Sequence, residues 1–437
     1  MQQIKGFSKL SKEEKITWLT KNHFSNSQKA KETLQLYWNK DEKLQKLHDE
    51  FTENTVSNYY LPFGVAPNFL INNELYTIPM AIEESSVVAA ASNAAKFWLD
   101  KGGFKAEVLS TQKVGQVHFN FAAETKKLET FFHHVKPQLI QEVKAITKNM
   151  EKRGGGITSI ELRNKTAEIE NYYQLHCTFE TLDAMGANFI NTCLEQIAKT
   201  FTHEANLYAN FSEEEQPEVI MSILSNYVPE CLVKAEVSCP VEQLSPNVAD
   251  AKKFAHKFVE AVKIAKIEPY RAVTHNKGIM NGIDAVVLAT GNDFRAIEAC
   301  AHAYASKSGS YSSLTDASIE NGIFRFWMEI PLALGTVGGL TSLHPLVRLA
   351  LEMLQKPSAK DLMKIVAVAG LAQNFAALRS LTTTGIQQGH MKMHLMNILN
   401  QFEANETERQ QVVEHFKSNT VTHSAVVEII KSLRNEN

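Results

Sequence analysis

The chain has 437 residues, 44% of them hydrophobic and 21% charged, with a formal net charge of -3. That length predicts two or three domains at roughly 100–200 residues each, and the balanced charge argues against nucleic acid or an acidic membrane surface as partner. Cys177, Cys193, Cys231, Cys239 and Cys300 are widely spaced and form no Cys-x-x-Cys pair, so buried reduced thiols are expected rather than a zinc site or a disulfide framework.

MQQIKGFSKLSKEEK lacks the apolar core of a signal peptide, and no uninterrupted apolar stretch nears the roughly 20 residues of a membrane span. A cytoplasmic protein with no membrane partner is expected. The first fifty residues read as amphipathic helices, opened by a capping box between Ser11 and Glu14.

Residues 55–80 look extended and turn-rich, with an Asn72-Asn73 turn before the strand-like run LYTIPMAI. SVVAAASNAAKFWLDKGG then predicts a buried central helix stopped at Gly102-Gly103, with Glu83 and Glu84 at its entrance. Its small side chains let neighbouring backbones come close.

From about 110 to 226 the pattern suggests an inserted unit. A strand in QVHFNF is followed by a long helical stretch to Arg153, a triple-glycine turn and a strand in ITSIEL. YYQLHCTF places Tyr173, Leu175, Cys177 and Phe179 on one face of a further strand, and a helix in AMGANFINTCLEQIAKTF precedes a last strand, EVIMSIL. The order β-α-β-β-α-β is that of a ferredoxin-like domain.

The remainder alternates helices (248–266, 294–306, 346–356, 360–380) with strand-like stretches (231–239, 284–290, 322–331), giving an α+β fold. After Gly389 the chain reads as polar and helical, a small appendage. The expected domains are 1–110 with 219–375, the inserted 111–218, and 376–437.

Four ionisable residues sit in apolar or glycine-rich settings: Glu84 in IPMAIEESS, Lys277 in THNKG, Asp293 in ATGND and His390 in IQQGHM. Singly, each has a plain structural explanation. Glu84 suits a helix N terminus, Lys277 an ion pair, Asp293 a helix N-cap, and His390 a helix end. Together they are chemically complete: a lysine to stabilise an oxyanion, carboxylates to hold its charge and share a proton, and a histidine to protonate a leaving group. DAMGAN (183–188) and GTVGG (335–339) allow close backbone approach to a cofactor or another chain, or simply tight packing. No dinucleotide-fold fingerprint, Walker loop, His-Glu-x-x-His or Gly-x-Ser-x-Gly motif is present.

PMAIEESSVVAAAS, DAMGAN, ILSN, YRAVTHNKGIMNGID, VLATGND, GTVGG, GLAQN and GIQQGHM, in this order, resemble hydroxymethylglutaryl-coenzyme A reductase, most closely the bacterial class II form. The resemblance runs from about residue 53 to 391. It departs at Glu53-Asn54-Thr55-Val56-Ser57, where the family commonly reads Glu-Asn-Val-Ile-Gly, and at Ser85, where a proline is common.

The resemblance implies a large mixed α/β substrate and dimerisation domain, an inserted cofactor domain and a helical C-terminal flap. It also implies a reversible four-electron reduction of hydroxymethylglutaryl-coenzyme A to mevalonate and free coenzyme A with two nicotinamide cofactors, through hemithioacetal and mevaldehyde intermediates, without a metal. By the same match Lys277 would stabilise the oxyanion, Asp293 would hold Lys277 and Glu84, Glu84 would protonate the aldehyde oxygen, and His390 the departing thiolate. Ser86 and Arg271 would bind the substrate carboxylate; Asn281 and Gln373 would orient the reacting end. Asp183, Met185, Gly186, Asn188 and Asn226 would approach the dinucleotide. Relatives that prefer NADH carry an aspartate at the position of Thr147; with Lys148 beside it, NADPH is favoured over NADH. At least a homodimer with active sites at the subunit interface is implied. The alternative, a non-catalytic dinucleotide or acyl-coenzyme A binding protein on the same fold, predicts loss of Lys277, Glu84 or His390.

Overall fold

The computed structural model describes residues 3–383, 395–396, 398–416, 419 and 421–434. They divide into two compact units, Met1–Pro62 and Phe63–Asn437, at a boundary the sequence reading does not draw.

The first unit holds α1 (Lys12–His23), α2 (Ser27–Leu36) and α3 (Glu42–Asp49). Ser11 and Glu14 form the expected capping box, which satisfies N–H groups left free in the first turn of α1. Lys12 Nζ closes on Asp49 Oδ1 at 2.7 Å and ties α1 to α3.

The second unit opens with the antiparallel hairpin β1 (Phe63–Ile71) and β2 (Glu74–Ala81). Asn72 and Asn73 turn it with φ of 50° and 73°, the left-handed pair that a two-residue hairpin loop demands. Next come α4 (Val87–Leu99) and β3 (Lys105–Val108). The inserted elements follow: β4 (Lys113–Asn120), α5 (Thr125–Glu142), α6 (Lys144–Glu151), β5 (Gly156–Asn164), β6 (Tyr172–Glu180), α7 (Ala187–Leu207) and β7 (Glu218–Leu224). Their sheet runs β5-β6-β4-β7, all antiparallel, which is the ferredoxin-like order. Val117, Phe119, Tyr173, Leu175, Cys177 and Phe179 line its buried face against α5 and α7.

β8 (Leu232–Pro240), α8 (Val248–Ile267), α9 (Pro269–Ala289), α10 (Phe294–Ala305), β9 (Thr315–Glu320) and β10 (Ile323–Pro331) return the chain to a second antiparallel sheet, β3-β8-β10-β9. After α11 (Leu340–Leu343) and α12 (Pro345–Met353) comes α13 (Ala359–Thr382), which packs against α9, α4 and β8. The central helix is α13, buried without interruption from Ile365 to Phe375; α4, expected in that place, buries one face, through Val87, Ala91, Ala94, Ala95 and Trp98. By length and composition α13 would span a membrane, yet 78% of its most apolar window is buried inside the protein.

One expected strand is overturned. Residues 284–290 are the end of α9 and its cap, because Pro269 at the first turn, the Glu268 N-cap and buried Ile279, Ile283, Val286 and Val287 sustain a helical period through AVVLA. An apolar run of five residues does not by itself distinguish strand from buried helix. The C-terminal segment is also less polar than its composition suggests: helices Glu406–His415 and His423–Leu433 enclose an apolar cluster of Val412, Phe416, Val426 and Ile430.

Candidate active site

α9 and α13 approach each other through two glycines. A Cβ on Gly282 would lie 2.6 Å from the Ala369 carbonyl oxygen and 2.8 Å from Gln373 Cβ, and one on Gly370 would lie 2.8 Å from Ile283 Cγ1. With that face of α9 buried, the opposite face carries Tyr270, Val273, Lys277, Asn281 and Asp284 at steps of three and four residues, one stripe along the helix. Exposure falls along the stripe from 88% at Tyr270 and 53% at Val273 to Asp284, whose Oδ1 is closed off from solvent without a hydrogen-bond partner. Lys277 stands where the stripe begins to sink.

Glu84 lies between β2 and α4. Its Oε2 accepts a hydrogen bond from Lys277 Nζ at 2.6 Å. The structure thus joins two of the four expected catalytic groups, but it does not bury them: the side chains are 59% exposed at Lys277 and 39% at Glu84. Ser86 N-caps α4 without a side-chain bond, in the left-handed region with φ of 75°, a conformation that costs a non-glycine residue strain and that clusters at functional sites.

Asp293 is engaged elsewhere. Its Oδ1 accepts from the backbone N–H groups of Arg295 and Ala296 at the start of α10 and from Arg295 Nε. Burial pushes this carboxyl up, but the Arg295 side chain and the two N–H groups hold it below the ordinary aspartate range. Among the described residues Lys277 bonds to Glu84 and not to Asp293. His390 lies outside the described residues.

The guanidinium of Arg271 is half-buried, which lowers its proton affinity, and it makes no ion pair among the described residues. Asn281 makes no side-chain hydrogen bond among them either. Gln373 is 7% exposed, and its Oε1 is buried without a partner, a state that costs about 1–3 kcal/mol until something donates to it.

DAMGAN and GTVGG meet. A Cβ on Gly335 would fall 2.4 Å from Met185 N, Thr336 N donates to Asp183 O at 2.8 Å, and Ala184 pairs with Val337 as a parallel bridge. Asp183 Oδ1 accepts from Ala359 N at the start of α13. Gly186, with φ of 91°, caps α7 without any side chain, leaving a helix N terminus suited to an anion; Asn188 is exposed in its first turn. Beside it a small pocket is lined by Met185, Asn226, Lys113, Ile297 and Cys300 among others.

Thr147, expected beside the dinucleotide, is turned away from solvent. It is fully buried, and its hydroxyl donates to Glu151 Oε1 at 2.5 Å; the exposed cations of this region are Lys148, Lys152 and Arg153.

The family model described as hydroxymethylglutaryl-coenzyme A reductase matches residues 12–395. A 3-hydroxy-3-methylglutaryl-coenzyme A reductase of Archaeoglobus fulgidus is 35% identical over 412 residues, covering 94% of this chain and 90% of its own. The chain belongs to the hydroxymethylglutaryl-coenzyme A reductase family. A probable reductase of Borreliella burgdorferi is 32% identical across 100% of this chain and 99% of its own. Among solved structures, a Streptococcus pneumoniae reductase superposes with a TM-score of 0.73 at 34% identity, covering 98% of this chain and 99% of that one. The class II reductase of the same organism bound to NADPH in open conformations gives 0.72 at 35% identity, covering 86% and 99%. Reductases of this family are NAD(P)H-dependent oxidoreductases.

Two groups beside the Lys277–Glu84 pair escape sequence reading. Burial, then the neighbouring Glu298 carboxyl on α10 and the charge of Glu83, push Asp284 up to about 8. His275, two residues before Lys277, is 1% exposed and joins Thr315 and Asn374 in a buried network; burial, with the charge of Arg271, lowers it to about 3. The signal for Asp284 was its place seven residues after Lys277, which is legible only once AVVLA is read as helix.

Proposed function

We propose that this reductase carries its chemistry on the Lys277–Glu84 pair, and the 2.6 Å contact between them is the observation that carries the reading. A cation fixed at one point meets the negative charge that develops on a carbonyl oxygen as hydride adds, and a fixed dipole or charge stabilises it without reorganisation at the moment of reaction. A nicotinamide cofactor, when bound, supplies that hydride. The residues fit one: an uncapped α7 N terminus, Gly186 where a Cβ would lie 2.5 Å from Thr181 Cγ2, and the cavity bounded by Met185 and Asn226.

Lys277 stabilises the oxyanion of the thioester in the first reduction, giving a hemithioacetal. His390 then protonates the departing coenzyme A thiolate; an unperturbed thiol has a pKa of about 8.5, so the free anion would otherwise re-add to the aldehyde. In the second reduction Glu84 delivers a proton to the mevaldehyde oxygen, and mevalonate leaves. Arg271, half-buried and without an ion pair among the described residues, binds the substrate carboxylate with Ser86. Asn281 and Gln373 orient the reacting end; the buried Gln373 oxygen gains a donor in the complex. Asp293 acts on Lys277 and Glu84 only in a closed form that draws it from the α10 N terminus. The segment 376–437 is that closing element.

We assign the cofactor as NADPH. Support comes from the exposed Lys148, Lys152 and Arg153 and from the NADPH-bound pneumococcal relative. Thr147 acts in this only indirectly, through Glu151. The protein works in the cytoplasm as at least a homodimer: Tyr270, Val273, Ile264 and Ile267 expose an apolar patch that runs into Lys277, and a second copy over it would give the catalytic pair the burial it lacks in one chain. The buried thiols oppose a cysteine-dependent acyl transfer, since burial pushes Cys177 to about 12 and Cys231 to about 11.

Initial rates of cofactor oxidation with hydroxymethylglutaryl-coenzyme A, using NADPH and NADH at equal concentrations, test the reading. The expected result is turnover with two cofactors oxidised per coenzyme A released, faster with NADPH. Binding of the thioester without oxidation of either cofactor sinks it, and a monomer by sedimentation under assay conditions removes the dimer.

A further inference from the structure

A lysine that the catalytic scheme does not use lies beneath the dinucleotide turn. Lys113 begins β4, where the chain enters the inserted domain, and is 5% exposed. Its Nζ donates to Thr181 Oγ1 at 2.5 Å and to the Ala184 carbonyl at 2.9 Å, and Thr181 Oγ1 itself donates to that carbonyl at 2.7 Å. Three polar atoms thus form a closed triangle under DAMGAN.

Both acceptors are neutral. Among the described residues no carboxylate comes within ion-pairing distance of Lys113, although Glu180, Asp183 and Cys231 face it at longer range. An unpaired buried ammonium is expensive, and an apolar side chain in its place would carry no such cost. What the triangle holds is the turn itself. Thr181 contacts the space above Gly186, whose left-handed backbone starts α7, and Lys113 lines the same cavity as Met185 and Ala187.

We propose that Lys113 is a positioning residue for the dinucleotide: by clamping Thr181 and the Ala184 carbonyl it fixes Met185, Gly186 and the first turn of α7 against the cavity. The inference rests on the reading that this cavity takes a nicotinamide dinucleotide. The cation is matched only when the negative diphosphate of that ligand arrives near the α7 N terminus, so its burial cost is offset in the complex more than in the free protein. Burial lowers the proton affinity of Lys113 below the ordinary lysine range, and Glu180 and Asp183 oppose the effect. The clamp therefore weakens as pH rises into that lowered range, since the charged form is the one present below the folded pKa.

The test is a fluorescence titration of the full-length protein with NADPH from pH 7 to pH 10, comparing wild type, Lys113→Met and Thr181→Val, with the wild type also titrated with NADH and the KM for hydroxymethylglutaryl-coenzyme A measured alongside. Lys113→Met is expected to raise the NADPH Kd about tenfold or more at pH 7, the effect of one charge-assisted hydrogen bond. It should also abolish the upward drift of Kd with pH expected of the wild type, and leave the thioester KM within about twofold, too small a change for a lost contact. Thr181→Val keeps the lysine and removes one acceptor; a smaller rise in Kd is expected, and it serves if Lys113→Met does not fold. Wild-type Kd and wild-type pH drift in the variants overturn the assignment while leaving the reductase reading intact. A wild type that binds neither NADPH nor NADH overturns both.

Discussion

Lys277 Nζ and Glu84 Oε2 lie 2.6 Å apart although 193 residues separate them in the chain. One comes from the middle of α9 and the other from the link between β2 and α4, so the fold, and no local motif, makes the pair. Lys277→Met is expected to lower kcat by at least about a hundredfold, the scale on which removal of an oxyanion donor acts. The Kd for hydroxymethylglutaryl-coenzyme A should stay within a few-fold. Initial rates together with calorimetric titration check this, and wild-type turnover in the variant would falsify the role of the lysine.

The two glycines that follow Lys277 should respond oppositely to a methyl group. Around Gly278 a Cβ would meet nothing within 4 Å, whereas at Gly282 it would strike the Ala369 carbonyl oxygen at 2.6 Å. Gly278→Ala is expected to stabilise the fold by up to about 1 kcal/mol, because alanine is the better helix former. Gly282→Ala is expected to destabilise it by about 1–3 kcal/mol through overpacking. Urea unfolding of both variants gives the comparison.

Asp284 makes stability fall as pH rises toward about 8. A carboxyl raised to about 8 in the folded protein from an ordinary aspartate value of 3.8 favours the protonated form; its contribution is complete below the lower value and is lost as pH rises through the upper one. Thermal melts from pH 6 to pH 9 should show a decline that is shallower in Asp284→Asn. Equal slopes in the two proteins would remove the assignment.

His275 acts in the opposite direction. Its folded value of about 3, against 6.5 unfolded, keeps the imidazole neutral, so its contribution is present above about 6.5 and drains away as pH falls toward 3. The wild type is expected to lose stability across that acid interval more steeply than His275→Gln, as followed by circular dichroism at fixed temperature.

Much of the architecture was legible because it rests on patterns that neighbours in sequence create. Alternation in YYQLHCTF puts Tyr173, Leu175, Cys177 and Phe179 on the buried face of β6, and Ser11 caps α1 as its spacing requires. AVVLA alone reads either way because helix and strand both bury a short apolar run; the helical period that starts at Glu268 and Pro269, with the packing of Gly282 against α13, decides for helix. Thr147 shows a different limit. Its position on α6 was legible, but burial depends on which face of α6 turns inward, and the bond to Glu151 settles that. The two glycine motifs were each recognised, whereas their contact with one another, 150 residues apart in numbering at Met185 and Gly335, is a tertiary fact with no local signature.

That contact has a mechanical consequence. With the Gly335 backbone against Met185, Ala184 paired to Val337 and Asp183 bonded to the first turn of α13, the inserted sheet is riveted to the rest of its unit at the loop we assign to the dinucleotide. A reductase that must discharge one oxidised cofactor and admit a second cannot do so by letting this loop drift. On the proposed reading the loop stays in place while cofactors exchange, so the reacting ring would return to the same place for each of the two reductions.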